Sequence, residues 1–187
     1  MTNYHYEGLP GTLARPVESL TRQIDAEGFS QAMNYALDFL EISTQYVSCY
    51  LFVLLQEVEL NLEPSQRPLG AIVRKIDTKR SLSFGDWVND IFNPLVRIAQ
   101  KETPGNPLVQ SISSVLFHRG NNRLLGGKNE PSVVRIRNEY KGHSTTLSNE
   151  IYKGVVSTLE PHVINMLKAM EPFIEMDFEY SDNHCVI

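Results

Sequence analysis

Across residues 29–58 the apolar side chains Phe29, Met33, Ala36, Leu37, Leu40, Val47, Leu51, Leu54, Leu55 and Val58 recur at spacings of three and four, with no Pro or Gly among them. A repeat near 3.6 residues gathers such positions on one face, so the spacing predicts a long amphipathic helix that starts after Gly28 and ends before Pro64 and Pro68. Residues 64–83 mix turn formers and charges around one short apolar patch, Leu69, Ala71, Ile72 and Val73, which predicts a loop with a helical turn. A second helix is predicted from Phe84 to about Lys101, with Trp87, Val88, Ile91, Phe92, Leu95, Val96 and Ile98 on its apolar face and Pro94 kinking or dividing it. Thr103-Pro104-Gly105-Asn106-Pro107 stops that helix. Residues 108–116 suit a short helix, and the Gly- and Asn-rich stretch 118–131 suits a connecting loop.

Pro131 fits the first turn of a further helix, with Asn129 or Glu130 just outside it, Val133, Ile136 and Tyr140 on one stripe, and Gly142 as its end. After the polar link Ser144-Thr145-Thr146, Ser148 is placed to cap a last long helix with Glu150 in its first turn. Ile151, Val155, Leu159, Val163, Met166, Leu167 and Met170 form the expected core face of that helix, and Pro161 predicts a kink. Beyond Glu171 the period changes. Ile174, Met176, Phe178 and Tyr180 alternate with Glu175, Asp177 and Glu179, the pattern of a half-buried strand, which needs a partner in this chain, across a subunit boundary, or in a further domain. The pattern as a whole predicts an all-α fold, an antiparallel helical bundle with a strand-like C-terminal tail. It reads as one domain over 1–187, with core helices at about 29–170 and an extended tail over 171–187.

Composition bounds this picture without changing it. At 187 residues, 42% hydrophobic and 21% charged, the chain has the size and apolar content to bury a core without disulfides or a structural metal. Its two cysteines, Cys49 and Cys185, are too few and too far apart for a disulfide framework or a zinc site. No window approaches the roughly 18 consecutive apolar residues of a membrane span. The opening MTNYHYEGLPGT lacks the basic start and apolar middle of a secretory signal, so a cytoplasmic protein is expected.

Charge does change the picture. The net charge is -5, with 17 Lys and Arg against 22 Asp and Glu, yet residues 118–153 hold seven basic and three acidic side chains, a local +4 that leaves -9 elsewhere. A second basic cluster, Arg67, Arg74, Lys75, Lys79 and Arg80, precedes the Trp-containing segment and reads as a solvated face. The tail from Glu171 onward has five acids and no Lys or Arg.

Within the basic stretch lies Val-Val-Arg-Ile-Arg-Asn-Glu-Tyr-Lys-Gly-His, residues 133–143. Arg137-Asn138 followed by His143, with five residues between Arg137 and His143, resembles the signature of the HEPN superfamily. The polar link, the LEPHVINML helix, the earlier Leu-Asp-Phe-Leu-Glu stretch and Phe-Gly-Asp-Trp are also similar to HEPN-like domains of bacterial defence and signalling proteins. That resemblance implies a metal-independent endoribonuclease acting as a homodimer, a toxin or antiphage effector held in check by a regulatory partner or antitoxin. It implies no cofactor and no metal. Arg137, Asn138 and His143 would be the catalytic residues, and the residue types suit that chemistry. Imidazole titrates near neutrality and serves as acid or base, while a guanidinium grips phosphate through paired donors. Arg119, Arg123, Arg135 and Lys141 are candidates to bind the RNA backbone.

One difficulty and two alternatives accompany that reading. Six helical positions turn about 600°, so Arg137 and His143 would sit about 120° apart unless Gly142 breaks the helix. Alternatively Arg137 pairs with an acid such as Glu139 or Glu150, and the chain is a non-catalytic HEPN-like interaction or scaffold module of a larger system. A regulator that binds a nucleotide or other small ligand in the basic region is a third reading. Gly126-Gly127-Lys128 lacks the spacing of a phosphate-binding loop, His5, His162 and His184 lack ligand spacing, and Trp87, Phe84 and Phe92 read as core.

Overall fold

Helical structure begins well upstream of residue 29. In the computed structural model, which describes residues 4, 6–60, 63, 67–79, 81–118, 121–125, 131–141, 147–174, 180–181 and 184–185, helix α1 spans Gly11–Asp25. It turns Leu13, Val17 and Leu20, spaced four and three apart, into the core against α2 (Phe29–Glu59). Pro16 lies inside α1 and removes one helical hydrogen bond. Burying three aliphatic side chains, each worth roughly 1.5–3 kcal/mol, outweighs the ~3 kcal/mol of an interior proline. The hydrophobic core therefore extends upstream of the expected boundary.

The long helix runs as its pattern predicts. α2 is the central element, in contact with α1, α3 (Leu69–Thr78), α5 (Asn93–Glu102) and α8 (Asn149–Ala169). Leu37, Phe39, Leu40, Val47 and Leu51 on it are fully buried. The buried hydroxyls of Thr44 and Ser48 each donate at 2.7 Å to the backbone carbonyl four residues earlier, which answers the cost of their burial. The α1–α2 turn holds Glu27 at φ 55°, the left-handed region, and its carbonyl accepts a hydrogen bond from the Asn149 amide at 3.2 Å.

Three departures from expectation have physical causes. The segment after Pro68 is a full ten-residue helix, α3, whose first N–H is met at 2.5 Å by the Glu59 carboxylate at the end of α2, a cap that Pro68 itself does not supply. Pro94 does not divide its helix. α4 (Phe84–Asp86) passes into a π-helical segment, Trp87–Phe92, and then α5, with the Asn93 N–H donating to the Val88 carbonyl five residues back. The wider π turn accommodates the proline ring and its missing N–H. The last departure is in the tail, where Ile174 belongs to a short helix, α9 (Glu171–Ile174), rather than to a strand. Residues 175–179, most of the alternating pattern, lie outside the described residues. β3 (Tyr180–Ser181) pairs antiparallel with β4 (His184–Cys185).

The remaining elements carry the motif. α6 (Pro107–Leu116) is capped by the Asn106 side chain, which accepts from the Val109 N–H at 3.1 Å. It leads to the two-residue antiparallel pair β1 (Phe117–His118) and β2 (Asn121–Asn122), a 3₁₀ turn at Arg123–Leu125, and α7 (Val133–Tyr140). The cap of α7 is Ser132, accepting from the Arg135 N–H at 3.3 Å, rather than Asn129 or Glu130. α8 runs through Pro161 with Val155, Leu159, Val163, Met166 and Leu167 buried, and Met170 is buried at its end. Ile151, expected in that core face, is 45% exposed in the first turn of α8, where it lines the groove between α7 and α8. The fold is an all-α helical bundle.

Candidate functional site

α7 is only eight residues long, and its faces follow directly from helical spacing. Val133 and Ile136 are buried, and the 3₁₀ turn at Arg123–Leu125 packs on the same helix, with Leu124 fully buried and its carbonyl 3.4 Å from the Ser132 hydroxyl. Arg137 and Lys141, four residues apart, lie toward α2, whereas Arg135, Asn138 and Glu139 are exposed. The helix ends at Tyr140 with Lys141 as its cap, and Gly142, expected to end it, lies outside the described residues.

Two acids of α2 meet this cationic face. The Nε of Arg137 stands 3.5 Å from the Glu41 carboxylate, with side-chain exposures of 29% and 18%. This is an ion pair by distance but not a hydrogen bond, because the donor geometry is not met; Nε is a buried donor with no hydrogen-bond partner. Lys141 hydrogen-bonds Asp38 through its ammonium group in a more open pair, with exposures of 32% and 40%. Asp38 and Glu41 are one turn apart on α2 and flank the buried Leu40. The four charges cancel. Neither acid suggested by sequence, Glu139 or Glu150, is the partner of Arg137. Glu139 is two positions along the same helix and faces away, and Glu150 is exposed at the start of α8. The signal that points to Glu41 is the pair of acids three apart within an otherwise apolar stretch of α2.

Of the other expected site residues, Arg123 sits half-buried on the 3₁₀ turn beside α7. That turn is fixed by the buried Asn122, whose side chain accepts from the Leu124 N–H at 2.8 Å and donates to Asn93 at 2.6 Å. The structure therefore brings Arg123, Arg135, Arg137 and Lys141 onto or against one short helix. Arg119, His143, Ser144, Thr145, Thr146 and the Gly126-Gly127-Lys128 stretch lie outside the described residues. Between α7 and α8 runs an open groove of about 440 Å³, lined by Arg135, Ile136, Glu139, Tyr140, Ile151 and Val155 among others.

The second basic cluster is also partly neutralised. Lys79 hydrogen-bonds both Asp86 and Asp90, the latter at 3.0 Å, and Lys75 reaches Asp90 at 2.8 Å, pinning α3 to the π segment. Lys79, together with the Ser83 hydroxyl and N–H, pulls the Asp86 carboxyl down to about 2. Lys75 and then Lys79 lower Asp90 likewise, and the two carboxylates raise Lys79. Trp87 is half-buried against the core, while Phe84 and Phe92 are buried, as their helical spacing predicts.

Among the described residues no group of three or more His, Cys, Asp or Glu is arranged to hold a metal ion, and no helix is long and apolar enough to cross a membrane. No family model, no curated protein and no solved structure matches the chain.

Proposed function

We propose that the chain is a HEPN-type, metal-independent endoribonuclease of the cytoplasm, acting as a homodimer in which Arg137, Asn138 and His143 carry the chemistry. The observation that supports this reading is the anchored Arg137. It stands on the last turn of α7, held against Glu41, with the rest of the motif immediately following. RNA brings its own nucleophile. As the 2′-oxygen bonds to phosphorus, one imidazole accepts its proton; as the bond from phosphorus to the 5′-oxygen breaks, a second imidazole protonates that oxygen. Two copies of His143 fill the two roles, each transfer contributing roughly 10²- to 10⁴-fold. Arg137 stabilises the charge that builds on the phosphorane, Asn138 orients the strand, and Arg119, Arg123, Arg135 and Lys141 hold its backbone. Such an enzyme needs a restraint, so an antitoxin or regulatory partner belongs to the same reading.

A second reading, a non-catalytic interaction module, is favoured by a different observation: Arg137 and Lys141 are already matched by carboxylates, while Ile151 stands exposed in the groove between α7 and α8. The test is incubation of total RNA and tRNA with wild type, Arg137→Ala and His143→Ala in EDTA, with mass in solution recorded alongside. The nuclease reading expects a dimer that cuts, and folded variants that do not. A folded wild type that leaves every RNA intact at low salt selects the interaction module.

A further inference from the structure

The two ion pairs that join α7 to α2 differ in a way that gives them different roles. Arg137–Glu41 is the more enclosed, with the Nε of Arg137 buried 3.5 Å from the Glu41 carboxylate. Lys141–Asp38 is the more open, at 32% and 40% exposed, and sits at the C-terminal cap of α7 on a flexible four-carbon stem. An exposed pair of this kind is worth at most about 1 kcal/mol, so a phosphate competes with the carboxylate on nearly equal terms.

We infer that Asp38 is an electrostatic shutter on the RNA site: it occupies Lys141 in the free protein and is displaced when a phosphate of the RNA backbone takes the ammonium. The inference rests on the RNA reading given above and adds its regulation. Glu41 acts differently, as a positioning residue that keeps Arg137 in place whether or not RNA is bound. The local field supports the distinction. With both acids in place the four-group cluster is neutral, and release of Asp38 alone exposes one positive charge where the strand would pass.

The experiment is binding of a single-stranded RNA oligonucleotide to the full chain across a salt series, for wild type, Asp38→Asn, Lys141→Ala and the double variant, with Glu150→Gln as a control for loss of one exposed acid. The thermal midpoint of each variant confirms folding, which an exposed pair leaves intact. Asp38→Asn is expected to tighten binding about two- to fivefold at low salt. It is also expected to steepen the dependence of log K on log salt by up to about 0.7, because in wild type the carboxylate freed from Lys141 takes up a cation that offsets the one released from the phosphate, and Asn takes up none. Both effects should vanish in the Lys141→Ala background, and Glu150→Gln should not reproduce the slope. If wild type binds and Asp38→Asn matches it in affinity and slope, the shutter is overturned while the RNA reading stands. If neither binds, the RNA reading falls and takes the shutter with it.

Discussion

Arg137 on α7 and Glu41 on α2, 96 positions apart in the chain, meet at 3.5 Å with the guanidinium Nε buried and lacking a hydrogen bond. Because Nε has no hydrogen-bond partner, the Glu41 carboxylate compensates it through charge alone. Glu41→Gln should destabilise the fold by roughly 1–2 kcal/mol, less than the full cost of breaking a deeply buried pair because both side chains retain some exposure. Chemical denaturation of the variant and wild type measures this directly. A change within experimental error would mean that water screens the pair and that Glu41 does not hold Arg137.

Glu27, at φ 55°, occupies a conformation that suits glycine. Glu27→Gly removes that strain and loses part of the gain to the greater freedom of the unfolded chain. The expected net result is a stabilisation of up to about 1 kcal/mol, read as a higher denaturation midpoint with an unchanged slope. Destabilisation would show that the Glu27 side chain contributes more than its backbone costs.

Asp86 gives a pH dependence with a definite sign. Its carboxyl lies near 3.8 in the unfolded chain and is pulled to about 2 in the fold, first by Lys79 and then by Ser83. A depressed carboxylate contributes stability that is full above the unfolded value and lost as pH falls toward the folded one. The difference in thermal midpoint between wild type and Asp86→Asn should therefore be constant above about pH 5 and shrink between about pH 4 and pH 2. A difference that stays constant through that window would place the contribution of Asp86 in helix capping geometry rather than in its charge.

How much of the molecule is legible in its sequence depends on the kind of contact. α2, α6 and α8 are readable because burial imposes a short-range repeat, and Leu37, Leu40, Val47 and Leu51 could hardly be arranged otherwise. α1 escapes such a reading although Leu13, Val17 and Leu20 carry the same repeat, because Pro10, Gly11 and Pro16 mask it locally and only packing on α2 outweighs them. Pro94 is recognisable as a disturbance, but the sequence does not distinguish a break from a π turn, since both answer the same missing N–H. The candidate site divides in the same way. Its residues on α7 stand out as a motif, whereas the spacing of Asp38 and Glu41 marks them as a pair of acids in an apolar stretch without saying which cations they meet, since Lys141 and Arg137 reach them only through tertiary packing.

In the proposed reaction RNA's own 2′-hydroxyl is the nucleophile and the motif on and after α7 moves the protons. It is tested by the chemistry of the ends produced when an RNA oligonucleotide is incubated with the full chain in EDTA, beside an otherwise identical oligonucleotide carrying 2′-deoxy residues at the cleaved positions. The expected result is 2′,3′-cyclic phosphate and 5′-hydroxyl ends, no cleavage at the deoxy positions, and loss of both products in His143→Ala. Ends bearing a 3′-hydroxyl and a 5′-phosphate, or cleavage that survives 2′-deoxy substitution, would contradict it.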